Sequence, residues 1–183
     1  MSAPLIRVAL TEEIEPERWA QISALCEAAF HESAAELWDH LGHGIHVVAE
    51  DAGRPASHAM IIDRQVHVGR DGAVILDAGY VENVATMPDS QGRGYGSAVM
   101  VAVAEIVRDE YAIGALATGS NAFYERLGWE TWTGPTSVRM PDGERARSAG
   151  QDGHVMVLRT AGTPPDLDST QPIAIDWRPR ESW

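Results

Sequence analysis

The stretch VATMPDSQGRGYG, residues 84–96, decides the fold. Upstream of its end, VILDAGYVENVATM (74–87) is β-rich and closes at Met87-Pro88, so it reads as a long strand. Downstream, Val99, Val103, Ile106 and Val107 recur at helical spacing. A strand therefore feeds an amphipathic helix through a glycine-rich loop. A helix N-terminus presents unpaired N–H groups and a partial charge of about +0.5. Gly92, Gly94 and Gly96 let an anion approach those amides, and Arg93 adds a formal positive charge. Gln91, Gly92, Arg93, Gly94, Tyr95 and Gly96 thus form either a diphosphate cradle or an ordinary glycine-rich helix cap. No Gly-Lys-Ser/Thr follows, which excludes a P-loop. The third glycine also comes one position too early for the dinucleotide fingerprint.

Working outward, LIRVAL (5–10) reads as a strand, with Thr11 as an N-cap for a helix that takes in Pro16 and runs through Phe30. A second short helix covers Ser33 to His40, where Ser33 and Glu36 make a capping-box pattern. IHVVAED (45–51) and ASHAMIIDRQVHV (56–68) are paired strands about a Gly53-Arg54-Pro55 turn. After the central helix, AIGALAT (112–118) is a strand, Asn121 to Leu127 a helix capped by Gly128, and WETWTG the start of another strand. The polar residues 141–153 read as a loop and HVMVLRT (154–160) as a strand. Residues 161–172 read as an irregular connector, and IAIDW (173–177) as a last strand or extended tail. This order predicts one α/β (α+β) domain over residues 1–183.

Composition narrows the function. The 183 residues are 44 % hydrophobic, enough for a core. Lys and Arg number 14 against 27 Asp and Glu, a formal charge of −13, which argues against nucleic acid or an anionic membrane as main partner and suits a cationic ligand. The single cysteine, Cys26, excludes an internal disulfide framework and reads as a buried small hydrophobe. The N-terminus lacks the basic head and apolar core of a secretory signal, and no apolar run is long enough to span a bilayer, so a cytoplasmic protein is expected. His40-x-x-His43-x-x-His46 comes without CxxC or HExxH, and Gly42 and Gly44 break any helix there, so no metal is expected.

Gln-x-x-Gly-x-Gly opening a helix after a strand resembles the acetyl-CoA pyrophosphate motif of the GNAT N-acetyltransferases. SNAFYERLGW (120–129) resembles that superfamily's next motif. GYVENVAT (79–86), GAL (114–116), ERLGW with W-x-GPTSV (125–138), DG-x-V-x-VL (152–158) and the ending DWR-x-x-x-x-W (176–183) are similar to the aminoglycoside 2′-N-acetyltransferases. WDH (38–40) and His46 also sit where that family has similar residues. The resemblance implies a single GNAT-type domain with a central mixed, mostly antiparallel sheet flanked by helices and an extended C-terminal tail (161–183) belonging to the substrate site. It also implies a homodimer, acetyl-CoA as cosubstrate, and transfer to the 2′-amine of an antibiotic.

Acetyl transfer to an ammonium needs a base, an oxyanion donor and an acid for the departing thiolate. By resemblance Glu82 is the base, and Val84, Ala85 and Thr86 pair with the pantetheine arm through their backbone. Strand alternation puts Glu82, Val84 and Thr86 on one face, with the Val84 N–H as oxyanion donor. Tyr124 is the general acid, and Asn121 of the same motif lies at the cofactor. Without the resemblance, Glu82 reads equally as a solvated strand carboxylate and Tyr124 as a core aromatic. A polycationic drug calls for carboxylates. Asp152 and Glu181 match acidic positions of the family, Trp183 offers a ring platform and a terminal carboxylate, and His46 lies in the pocket wall. Asp176 and Trp177 read as packing that anchors the tail, close to Trp132.

The segment before WDH departs from the family, which has two drug-facing aspartates there. Glu32 replaces one, Leu37 stands at the other, and Glu36 adds a carboxylate to the same segment. Fewer anionic contacts point to a less charged substrate, of which kasugamycin is a specific candidate. Three functions stay in view: an aminoglycoside acetyltransferase, a GNAT enzyme for another small polyamine or peptide amine, and a non-catalytic CoA-binding sensor.

Overall fold

The computed structural model describes residues 4–180 and 182–183. Along the chain run β1 (Leu5–Leu10), α1 (Pro16–Phe30), α2 (Ala34–Trp38), β2 (Ile45–Asp51), β3 (Arg54–Val68), β4 (Val74–Thr86) and α3 (Tyr95–Glu110). Then follow β5 (Ile113–Ala117), α4 (Asn121–Glu125), β6 (Glu130–Thr131), β7 (Thr136–Arg139), β8 (Arg145–Arg147), β9 (Val155–Arg159) and β10 (Ile173–Asp176). The pairings are mostly antiparallel, with β4–β5 and β7–β10 parallel, which is the mixed α/β class the sequence predicts. Contacts divide the chain into two compact units. One holds the residues up to Ile62 with Val81–Glu105; the other holds Asp63–Tyr80 with the residues from Ile106 onward.

In the first unit β1 pairs with β2, and β2 with the first part of β3. Ile22, Leu25 and Cys26 of α1 recur on one helical face and bury against Leu37, Val48 and Ala85. Pro16 takes the first helical position, where its missing N–H costs nothing. Thr11 is not the cap of α1. It opens a separate 3-10 turn (Thr11–Glu13), and its Oγ1 accepts the Gly44 N–H at 2.9 Å. The capping box of Ser33 and Glu36 does form, on a helix shorter than its sequence suggests. β3 starts at Arg54, earlier than expected. The turn needs only Ala52 and Gly53, both at positive φ (49° and 80°) as a tight hairpin requires, and Pro55 is tolerated opposite the irregularity between Ala49 and Glu50.

In the second unit the strand order is β6-β9-β5-β4-β3-β10-β7-β8. Residues 141–153 are not all loop, because β8 lies within them and pairs antiparallel with β7. Its Arg-Ala-Arg sequence reads as solvated because it is an edge strand, where charge protects an unpaired backbone. IAIDW is no tail: β10 lies between β3 and β7 and is almost wholly buried. Asp176 is anchored, its Oδ1 lying 3.1 Å from His67 Nε2 and from Arg139 Nη1, but Trp177 is 46 % exposed and does not pack as expected. Trp132 is fully buried, and its Nε1–H donates to Gln171 O at 2.8 Å.

Gly134 lies so close to the connector that a Cβ there would stand 2.0 Å from Gln171 O and 2.7 Å from Thr170 O. Backbone on both sides cannot yield. Gly134→Ala should destabilise the fold by about 1–3 kcal/mol or more, the range for overpacking. Gly119→Ala, with nothing within 4 Å, should leave the melting temperature unchanged. Thermal unfolding of the pair checks this.

Candidate active site

In the first unit the end of β4 is not a regular strand. Asn83 has φ 48°, in the left-handed region that asparagine tolerates better than most residues. Glu82, Asn83 and Val84 are all half-buried, so the expected alternation of Glu82, Val84 and Thr86 onto one face is interrupted at Asn83. Two bonds hold the irregularity. His58 Nδ1 meets Asn83 O at 3.0 Å, and Asn83 Nδ2 donates to Leu37 O at 3.2 Å. Beyond it, Ser57 Oγ donates to Ala85 O at 2.7 Å and lies 2.8 Å from Thr86 Oγ1.

The loop that follows opens α3. Gln91 Nε2 donates to Thr86 O at 3.4 Å. Gly92 and Gly94 have φ of 72° and 89°, and a Cβ at either would meet nothing within 4 Å. Their glycines are required by conformation, and the space before them is open, which fits a diphosphate at the helix mouth. Gly94 O accepts the Ala98 N–H at 3.0 Å as the helix begins. Arg93 pairs with Asp51 at 3.1 Å and lies 5.2 Å from the Tyr95 ring centroid. An incoming phosphate therefore competes with one half-exposed carboxylate.

His46 does not form an open wall. It is 1 % exposed and sits among Trp19, Trp38 and His58. Desolvation lowers its pKa to about 4, and that of His58 to about 3, so both rings are neutral. Glu32 is exposed, whereas the Glu36 carboxylate caps α2, accepting the Ser33 N–H at 2.9 Å. His43 lies 3.3 Å from Glu12, and no group of three His, Cys, Asp or Glu among the described residues could hold a metal ion.

In the second unit Tyr124 is 7 % exposed beside Phe123 and Trp129. Burial pushes its phenol up to about 12, against a smaller opposing effect of the Thr118 side chain. A phenol protonated at neutral pH can give a proton. Asn121 Nδ2 is spent on Thr131 Oγ1 (2.9 Å) and Gly153 O (2.8 Å), so its amide N–H groups brace the fold. Asp152 is likewise engaged. Its Oδ1 accepts from Thr136 N–H, Thr136 Oγ1 and Arg147 Nη1, each at 2.9 Å, and its Oδ2 from Arg147 Nη2. The Arg147 guanidinium holds the Asp152 carboxyl well below the usual range, with the Thr136 bonds adding to it. The Trp183 ring is 6 % exposed and its Nε1–H is shared between Ser137 O (3.2 Å) and Ser148 Oγ (3.1 Å). Glu181 lies outside the described residues. A cavity of about 580 Å³ is lined by Arg70, Arg145 and Arg147 with Thr136, Ser137 and Gln171, a lining that repels a polycation.

Sequence reading missed His58 and Asn83. The signal was present: two histidines in otherwise apolar paired strands. His46 stands opposite Met60 and His58 opposite Val48, so the two are diagonal neighbours on one face.

The architecture shows the fold. The chain resembles the GNAT-family N-acetyltransferase YhbS of Escherichia coli, solved in complex with CoA, with a TM-score of 0.64 at 18 % identity over 97 % of this chain and 92 % of that one. A GCN5-related N-acetyltransferase from Kribbella flavida matches with a TM-score of 0.56 at 21 % identity over 71 % of this chain, which spans about a third (34 %) of that longer one. The acetyltransferase (GNAT) domain family matches residues 11–132. The finer relationship is with an aminoglycoside 2′-N-acetyltransferase of Mycolicibacterium fortuitum, 38 % identical over 150 residues that cover 80 % of this chain and 74 % of that protein. The chain belongs to the GNAT acetyltransferases, in the family of that relative, and is an N-acetyltransferase that uses acetyl-CoA. Among the described residues no helix is long and apolar enough to cross a membrane.

Tyr124 yields a prediction with a definite sign. Its folded pKa is raised, so its contribution to stability is complete below the unfolded value of about 10 and is lost as pH rises toward about 12. Urea unfolding at pH 9.5, 10.5 and 11.5 should show that loss together with those of Cys26 and Tyr111, whose pKa values burial also raises, and Tyr124→Phe should make it smaller.

Proposed function

We propose that the enzyme moves the acetyl group of acetyl-CoA onto the 2′-amine of an aminoglycoside and so confers resistance. The observation that carries the chemistry is that the chain runs directly from the irregularity at Asn83, flanked by Glu82 and Val84, into the open glycine loop that starts α3. The amine class rests on the identity with the Mycolicibacterium fortuitum protein and on the net charge of −13.

Glu82 takes a proton from the substrate ammonium, directly or through one water, and frees the nitrogen lone pair for attack on the thioester carbon. The Val84 N–H donates to the oxygen that becomes an oxyanion. The α3 amides with Arg93 hold the diphosphate, and the backbone of Val84 to Thr86 lines up the pantetheine arm. Tyr124 protonates the departing thiolate. Glu32 and the Trp183 tail contribute to the substrate site, in a homodimer in the cytoplasm.

A second reading has a specific observation in its favour. Glu36 and Asp152 are tied into the fold, and the cavity that Arg147, the partner of Asp152, helps to line also carries Arg70 and Arg145. Fewer free carboxylates favour a less charged amine: kasugamycin among the drugs, or another small polyamine or peptide amine outside them.

Thiol release from acetyl-CoA should be stimulated by at least one of gentamicin, tobramycin and kasugamycin, with NMR of the product locating the acetyl on the 2′-nitrogen. A response to kasugamycin alone selects the less charged drug, and silence with all three but turnover with a simple polyamine selects an amine outside the drugs. Glu82→Ala should lower kcat by ~10²–10⁴-fold with CoA binding little changed, as for loss of a general base. Arg93→Ala should weaken acetyl-CoA binding by about 1–3 kcal/mol, the size of a charge-assisted hydrogen bond. An unaltered Kd by calorimetry would remove Arg93 from the diphosphate site.

A further inference from the structure

A chain of four groups crosses the buried interior of the first unit. Thr11 Oγ1 lies 3.0 Å from His46 Nε2, His46 Nδ1 lies 3.0 Å from His58 Nε2, and His58 Nδ1 lies 3.0 Å from Asn83 O. The last member fixes all the others. A carbonyl only accepts, so the His58 proton sits on Nδ1 and its Nε2 accepts. His46 must then carry its proton on Nδ1, and its Nε2 accepts from the Thr11 hydroxyl. That hydroxyl is itself held by the Gly44 N–H at 2.9 Å. Run the other way, from the Cys26 thiol 3.7 Å from His58 Nδ1 to Gly44 O 3.2 Å from Thr11 Oγ1, the chain would leave the Asn83 carbonyl without this donor, so the stated direction is the one that bonds it, with both rings neutral. His46 and His58 are 1 % and 0 % exposed, so no solvent can replace these partners.

The chain cannot carry a proton away from the reaction, because it ends on a peptide carbonyl with no proton to exchange. What it can do is set that carbonyl's direction. Asn83 O belongs to the peptide whose nitrogen is Val84 N. Turning one end of a planar peptide turns the other. The opposite side of Asn83 is fixed by its own side chain on Leu37 O.

We propose that His58, oriented by His46, is a positioning residue that locks the left-handed Asn83 and thereby aims the Val84 N–H at the oxygen of the reacting acyl group. This rests on the transfer chemistry assigned above to Val84. His58 touches neither substrate nor cofactor.

Two variants separate positioning from mere stability. His58→Leu fills the space without a donor. His58→Asn keeps an N–H near the place of Nδ1. Both leave the His46 Nδ1–H without its acceptor, so both should melt lower than the parent. Only His58→Leu should lose kcat, by about 10–100-fold, the scale of an Å-sized misplacement at a reacting centre. KM for the amine and Kd for CoA should stay within about three-fold, and His58→Asn should recover most of the rate. Equal losses in the two variants, or an unimpaired His58→Leu, would overturn the proposal.

A measurement on the unaltered protein needs neither a variant nor a substrate. Nitrogen-15 NMR of the histidine rings should find His46 and His58 both neutral and both protonated at Nδ1 at pH 7. An Nε2–H tautomer at His58, or an imidazolium, would break the chain and end the proposal. The ring tautomers are indifferent to which amine is acetylated. They therefore fail separately from the transfer reading, which stands or falls on Glu82→Ala and the drug panel.

Discussion

The carbonyl of Asn83 is the constraint on which the candidate site depends. A non-glycine residue in the left-handed region costs about 1–3 kcal/mol, and it persists only where the surroundings hold it. Here two hydrogen bonds do so, one to the carbonyl and one from the side chain, each worth about 1 kcal/mol net. The strain is repaid close to where it arises. In return Glu82 and Val84 leave the pleat of an ordinary strand, where neighbours two apart would repeat the same direction.

Electrostatics divides along similar lines. Many carboxylates are committed to the fold: Glu50 to Arg18 and Arg7, Asp152 to Arg147, Asp176 to Arg139, Glu130 to Arg159. With 27 acids against 14 Lys and Arg, the pairing runs out of bases first, and the surplus remains negative. An approaching cation meets that surplus as a field, screened over about 8 Å in physiological salt. Specific recognition then falls to whichever carboxylates are not already bonded, which is why the engagement of Asp152 and Glu36 bears on substrate choice.

Much of this was legible in the sequence, for physical reasons. The glycine loop was readable because positive φ at Gly92 and Gly94 leaves a compositional mark. α1 was readable because Ile22, Leu25 and Cys26 keep one face apolar over several turns. What escaped was either short or non-local. β8 is an Arg-Ala-Arg edge whose only strand signal is its partner β7. β10 read as a possible tail because being enclosed by β3 and β7 is a property of the assembled sheet. Asn83 escaped because the alternation of Glu82, Val84 and Thr86 is undisturbed in the letters. Its left-handed turn is imposed by residues 25 positions away and more. Asp152 was noted for its charge, but the arginine that neutralises it comes from a segment that read as loop.

Burial of Cys26 has a practical consequence. The side chain is 0 % exposed and desolvation pushes its thiol up to about 12, so essentially no thiolate exists at neutral pH. An enzyme that handles an activated thioester thereby carries no sulfur nucleophile of its own to be acylated by accident. A disulfide dye added during turnover would register liberated coenzyme against a silent protein background.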